Sequence, residues 1–117
     1  MHASLMRILL TASGLEPEGI AVIVVAVIVT FDGSSQENVV AAANRVAEIT
    51  RTEKGCISYE FFADINRRGR ILLFEEWESE EAVDAHLSSP HLAEFRSALA
   101  AAEVTGREIK RYIVAER

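Results

Sequence analysis

Ile20-Ala21-Val22-Ile23-Val24-Val25-Ala26-Val27-Ile28-Val29-Thr30-Phe31 is the stretch that decides the architecture. From Ile20 to Val29 it is apolar without a break, and Asp32-Gly33 ends it. A membrane-crossing helix needs about twenty apolar residues, so the run is too short to span a bilayer. Its Val and Ile content favours a strand, because side chains branched at Cβ suit a pleated surface. A strand that is apolar on both alternating faces belongs in the middle of a sheet with both faces covered.

Upstream, Gly14-Leu15-Glu16-Pro17-Glu18-Gly19 is turn chemistry. It sets residues 1–19 apart as an N-terminal extension and starts the domain proper at residue 20, to run to residue 117. The extension has room for one short strand. Its apolar stretch Leu5 to Leu10 carries Arg7 and precedes no clean small-residue cleavage site, a weak match to a secretory leader. At 117 residues the chain holds one domain. Half of it is hydrophobic, 26% is charged, and it has only six Gly and two Pro, which excludes disordered and low-complexity classes. Twelve basic against eighteen acidic residues give a net charge of −6, which argues against nucleic acid and anionic membranes as partners. A single cysteine makes no internal disulfide and no cysteine-based zinc site. The expectation is a soluble cytoplasmic globule.

Downstream, Gly33-Ser34-Ser35 breaks the strand, and Ser34 with Glu37 has capping-box spacing. Val39, Ala42, Ala43, Val46, Ile49 and Thr50 then recur at helical spacing, with Asn38, Arg45, Glu48 and Arg51 opposite. Gly55 stands in the C-terminal stop position. Ile57 to Ala63 reads as a strand, Asp64 to Gly69 as a hairpin loop, and Arg70 to Trp77 as the returning strand. Ser79 caps a second helix with Glu80 and Glu81 in its first turn. Ser88-Ser89-Pro90 interrupts that helix, and a new one starts at the proline with Leu92, Phe95 and Leu99 as its buried stripe. Glu108 to Ala115 alternates as a last strand.

This order is βαββαβ, the split βαβ arrangement of ferredoxin-like α+β folds: an antiparallel four-stranded sheet with helices on one face. The other sheet face is then bare, although the first and third strands are apolar on both sides. An exposed apolar sheet of that size is an aggregation hazard. The expected cover is a second copy, giving a homodimer packed sheet on sheet, a dimeric α/β barrel.

Signals for chemistry are sparse. His86 and His91 are five apart, off the spacing that places two ligands on one helix face, so no metal site is expected. Glu75, Glu76, Glu78, Glu80 and Glu81 read as a solvated helix start, and Arg67, Arg68 and Arg70 as a soluble hairpin tip. Cys56 reads as a small buried residue. No phosphate loop, nucleophile elbow or dinucleotide fingerprint is present. What remains is an aromatic set. Trp77 closes the third strand and His86 lies two turns into the next helix, so both should border the gap between sheet and helices. There they would form an apolar pocket with a few polar groups, the usual shape of a small-molecule site. His86 is the candidate to take a phenol proton and Trp77 the flat wall for an aromatic ligand. Tyr59, Phe74, Phe95 and Tyr112 are the candidate substrate-binding residues. A structural tryptophan and a surface-paired histidine are the competing explanation.

Glu53-Lys54-Gly55-Cys56, then Ser58-Tyr59-Glu60, then Phe74-Glu75-Glu76-Trp77-Glu78-Ser79, then Ala82 with Ala85-His86-Leu87 and Ser88-Ser89-Pro90-His91, resemble the antibiotic biosynthesis monooxygenase family. The resemblance runs from about Ile20 to Ala115 and leaves the extension outside. It implies dimeric barrels of ferredoxin-like subunits and a cofactor-free monooxygenase that oxidises small phenolic or quinol-type aromatics with dioxygen. No metal, flavin or haem is expected. The alternative is a non-catalytic dimeric barrel that binds a small apolar ligand in a stress-response or accessory role. Haem degradation, known in the same superfamily, comes third. Only Trp77 matches that branch, while Ala26 and Arg96 fall where its asparagine and iron-ligating histidine would stand.

Overall fold

The computed structural model describes residues 7–9 and 21–116. In chain order the strands and helices are β1 (Arg7–Leu9), β2 (Ala21–Thr30), α1 (Gln36–Thr50), β3 (Cys56–Ala63), β4 (Arg70–Trp77), α2 (Glu80–Leu87), α3 (Pro90–Ala101) and β5 (Gly106–Glu116). The sheet order is β1-β5-β2-β4-β3, and every pairing is antiparallel. The four strands β5-β2-β4-β3 with their helices form the ferredoxin-like unit that the sequence predicts. β2 lies between β5 and β4, which explains why its residues are apolar on both faces. β1 adds a fifth strand at the β5 edge, drawn from the segment read as an extension. The turn Gly14–Gly19 of that segment lies outside the described residues.

Register assigns each strand residue to a face. Val25 pairs with Glu75 on one side and Arg111 on the other; Val27 pairs with Leu73 and Ile109, and Val29 with Ile71 and Arg107. These residues face the helices. Val24 pairs with Glu76 and Tyr112, Ala26 with Phe74 and Lys110, and Ile28 with Leu72 and Glu108, all on the outer face. The core lies between the first set and α1, α2 and α3, with Val39, Val46, Tyr59 and Trp77 at most 2% exposed. No helix among the described residues is long and apolar enough to cross a membrane.

Two local expectations fail for identifiable reasons. Ser34 does not cap α1. The Asp32 carboxylate accepts the Ser34 backbone N–H at 3.0 Å and the Ser34 hydroxyl at 2.9 Å, so a 3-10 turn comes first and α1 starts at Gln36. Glu37 pairs instead with Arg68 at 2.9 Å. Ile49 is 41% exposed, and Ala47 completes the buried stripe of α1 in its place. At the other helix starts the reading holds. Ser79 accepts the Ala82 N–H at 3.1 Å, Ser89 accepts the Leu92 N–H at 3.3 Å, and Pro90 fills the first turn of α3.

Candidate functional site

α1 ends over the edge of the sheet. Thr52 Oγ1 donates to the Ile49 carbonyl at 2.7 Å, and the Glu53 N–H donates to the Thr50 carbonyl at 2.9 Å. Gly55 then takes φ +87°, and its carbonyl accepts the Glu78 N–H at 2.8 Å. A Cβ there would sit 2.5 Å from the Ala82 Cβ, so the tight turn onto α2 requires glycine. This turn holds the Glu53 carboxylate above the corner where α2 meets α3.

That corner brings two histidines together. His86 is in the last turn of α2 and His91 in the first turn of α3. The Ser89 hydroxyl donates to the His86 carbonyl at 2.7 Å and closes the bend between them. Both rings turn toward one carboxylate oxygen: His86 Nδ1 lies 2.9 Å from Glu53 Oε2, and His91 Nε2 forms a close hydrogen bond to the same atom. Five-residue spacing fails on a single helix, but the break at Ser88-Ser89 folds the chain back between the two rings. Glu53, His86 and His91 therefore place three possible ligand atoms within 4.8 Å of one another, the donor set of a two-histidine, one-carboxylate metal site. The same contacts equally describe a carboxylate accepting two ring N–H groups.

His86 is 2% exposed. Its ring stacks at a tilt on Trp77, with centroids 4.9 Å apart, and meets the edge of Tyr59 at 5.2 Å. Burial holds the imidazole below its ordinary 6.5, only partly opposed by the hydrogen bond to Glu53, so the ring is neutral at pH 7. With Nδ1–H on Glu53, Nε2 carries the lone pair, and it has no protein partner among the described residues. Trp77 Nε1–H donates to Glu75 Oε1 at 2.8 Å. Glu75 is 6% exposed, and burial pushes its carboxyl up to about 7 against that hydrogen bond, with the charge of Glu53 adding to the rise. The Tyr59 hydroxyl is fully buried without a hydrogen-bond partner among the described residues, and burial raises its ionisation far above the usual phenol range.

These groups border a cavity of about 280 Å³ between the sheet and α2–α3. Val25, Val27, Leu73, Phe61 and Phe95 give it apolar walls, and Tyr59, Glu75 and His86 supply polar groups at one end. Arg96, Arg107 and Arg111 also line it. Of these, Arg111 is paired with Glu80.

The predicted residues separate accordingly. His86, Tyr59 and Phe95 meet at the cavity. Trp77 does not line it; it is fully buried behind His86 and Glu75, so it supports the site rather than offering a wall to a ligand. Phe74 and Tyr112 lie on the outer sheet face, because Leu73, Glu75 and Arg111, one residue away on the same strands, point into the cavity. Glu75 is not part of a solvated helix start; it lies within β4, opposite Val25 and Tyr59. Glu53 is not among the candidate site residues that the sequence suggests, although it stands in the motif Glu53-Lys54-Gly55-Cys56. That motif was the signal available.

A ferredoxin-like sheet with a largely apolar cavity under its helices defines the structural class. The model of the antibiotic biosynthesis monooxygenase family matches residues 21–98, and the chain belongs to that family. A Synechocystis protein is 34% identical over 94 residues, covering 80% of this chain and 64% of its own length. A Mycobacterium tuberculosis protein named as a monooxygenase is 40% identical over 48 residues, covering 41% of this chain and 46% of its own length. The chain thus spans less than two thirds of either relative. Among solved structures, an antibiotic biosynthesis monooxygenase from Deinococcus radiodurans, so named, superposes with TM-score 0.71 at 24% identity, covering 77% of this chain and 89% of that one. A Bacteroides thetaiotaomicron protein superposes with TM-score 0.72 at 22% identity, covering 81% and 99%. At these identities the structural likeness speaks to the fold alone.

Proposed function

We propose that this protein is a cofactor-independent monooxygenase that oxidises a small phenolic or quinol-type aromatic with dioxygen. The observation that carries the reading is the Glu53–His86 pair at an apolar cavity. Glu53 fixes the ring orientation and the tautomer, as a carboxylate does for the histidine of a hydrolase triad. His86 Nε2 is then a neutral base for a phenol proton. The phenolate is electron-rich enough to pass an electron to dioxygen directly, so the protein has to supply a base, an orientation and a dry site. Val27, Phe61, Leu73 and Phe95 provide the apolar walls.

The proposal includes a homodimer through the outer sheet face. Phe62 is 53% exposed there, with Phe74 at 36% and Tyr112 at 39%, and Val24, Ala26 and Ile28 lie beside them. Large apolar side chains gathered on one sheet face support this reading. Activity is tested by oxygen uptake with a panel of hydroquinones and phenols, using protein treated with chelator. Substrate-dependent uptake that His86→Ala abolishes is the expected result. Saturable binding of an aromatic without any uptake would favour the non-catalytic barrel instead.

A further inference from the structure

Glu75 is a buried carboxylate that no cation among the described residues pairs with. Among the described residues its one hydrogen bond is from Trp77 Nε1–H to Oε1, and Oε2 has no protein partner. Burying an ionised carboxylate with a single donor is costly, and a glutamine would satisfy Trp77 equally well. Packing therefore gives no reason for the acid. Its place does give one, because Glu75 lines the same end of the cavity as His86 and Tyr59. The groups facing it are Tyr59 and Cys56 from β3, His86 from α2, Glu53 from the loop after α1, Arg96 from α3 and Arg111 from β5. Neither arginine forms an ion pair with it, and Arg111 is already held by Glu80.

We infer that Glu75 is the acid–base partner of His86 in the proposed oxygenation, protonating the ring-bound peroxide and then taking the ring hydrogen as water departs. The inference rests on the reading of the site as a phenol oxygenase. The reaction moves two protons besides the phenol's, one onto the peroxide and one off the ring carbon, while the phenol's proton stays on His86 until hydroxide leaves, so a second acid–base group is needed. His86 takes the phenol proton. The ring carbon of the phenolate bonds to dioxygen by way of one-electron transfer and radical pairing, leaving a peroxide anion on that carbon. The carboxylic acid of Glu75 gives its proton to the terminal oxygen and becomes carboxylate. That carboxylate removes the hydrogen from the peroxide-bearing carbon. The C–H electron pair forms the new carbonyl, the O–O bond breaks, and hydroxide takes the proton stored on His86. One phenol and one dioxygen yield one quinone and one water, with both residues restored. Burial presses the two groups in the directions this requires, keeping His86 neutral and Glu75 largely protonated up to about 7.

Glu75→Gln keeps the length of the side chain and an oxygen for the Trp77 N–H, so the fold should survive. With a phenol that the wild type oxidises, quinone formation should fall roughly 100-fold. Oxygen uptake should fall in step with it, because a ring peroxide that is not protonated reverts to phenolate and dioxygen. An unchanged quinone rate, with one quinone still formed per dioxygen, overturns the inference. A second measurement does not depend on turnover. Infrared difference spectra of wild type against Glu75→Gln, at about pH 6, should show the C=O stretch of a neutral carboxyl, and 4-nitrophenol should shift it. No band, or a band indifferent to 4-nitrophenol, also overturns the inference. Absence of oxygen uptake by the wild type with every phenol refutes the oxygenase reading, whereas the infrared result reports on Glu75 alone.

Discussion

Glu75→Gln should make the protein more stable at neutral and alkaline pH, by an amount that the environment of Glu75 sets. The native carboxyl holds its proton up to about 7, against an ordinary 4.5 when the chain is unfolded. Between those values the native state binds more protons than the unfolded state, so this group makes stability fall as pH rises. The loss begins near 4.5 and is complete above about 7. At 1.36 kcal/mol per pH unit it amounts to about 3 kcal/mol. Glutamine does not titrate and carries none of it. Urea denaturation of both proteins at one protein concentration, at about pH 4 and about pH 8, reads the difference directly. Every other titrating group is common to the two proteins and cancels. With a slope of about 2 kcal/mol per molar urea, the variant's midpoint should gain about 1.5 M on the wild type between the two pH values. A gap that stays constant with pH would show that Glu75 titrates as an exposed carboxyl, and the acid–base assignment would lose its physical basis.

Other outcomes follow from the same geometry. Glu53→Gln should lower turnover by roughly 10-fold to 100-fold while leaving the fold intact, because His86 loses the partner that fixes its tautomer; circular dichroism and steady-state rates separate the two effects, and an unchanged rate counts against the pair. Gly55→Ala should destabilise the protein by about 1–3 kcal/mol, since alanine would have to adopt φ +87° and its Cβ would meet Ala82 at 2.5 Å; a denaturation midpoint equal to the wild type's contradicts that packing. Light scattering should give about twice the 12.9 kDa chain mass for the wild type, and Phe74→Glu should halve it, whereas a monomeric wild type refutes the outer-face dimer.

The fold was legible because its signals are local and repeated. The unbroken Ile20–Val29 run marks a central strand, Ser79 and Ser89 mark two helix starts, and Asp64–Gly69 marks the hairpin. Strand parity was not legible. β2 is apolar on both sides, so nothing in Val24-Val25 says which residue meets the helices. The pair Glu75-Glu76 is equally ambiguous as sequence, yet only Glu75 turns inward, opposite Val25 and Tyr59. Phe74 and Tyr112 look like pocket residues in sequence for the same reason, as aromatic residues whose side of the sheet the alternation does not decide. His86 is legible because a donor-bearing ring in a small domain usually needs a polar partner or a cavity. His91 is not legible as a partner of His86 from spacing along one helix, because the chain turns between the two rings. Glu53 depends on the Gly55 turn, which only the folded chain displays.

The central claim is that this cavity brings dioxygen and a phenol together without a resident metal or organic cofactor. Isotope labelling of the product tests it most directly. Chelator-treated protein, shown by elemental analysis and absorption spectrum to carry no metal, flavin or haem, is turned over with a phenol under oxygen-18 gas. The account predicts one labelled oxygen atom in each quinone, the second atom of each dioxygen in water, and loss of both in His86→Ala. Product labelled only from solvent, or turnover that appears only when a metal is restored to Glu53, His86 and His91, would contradict it.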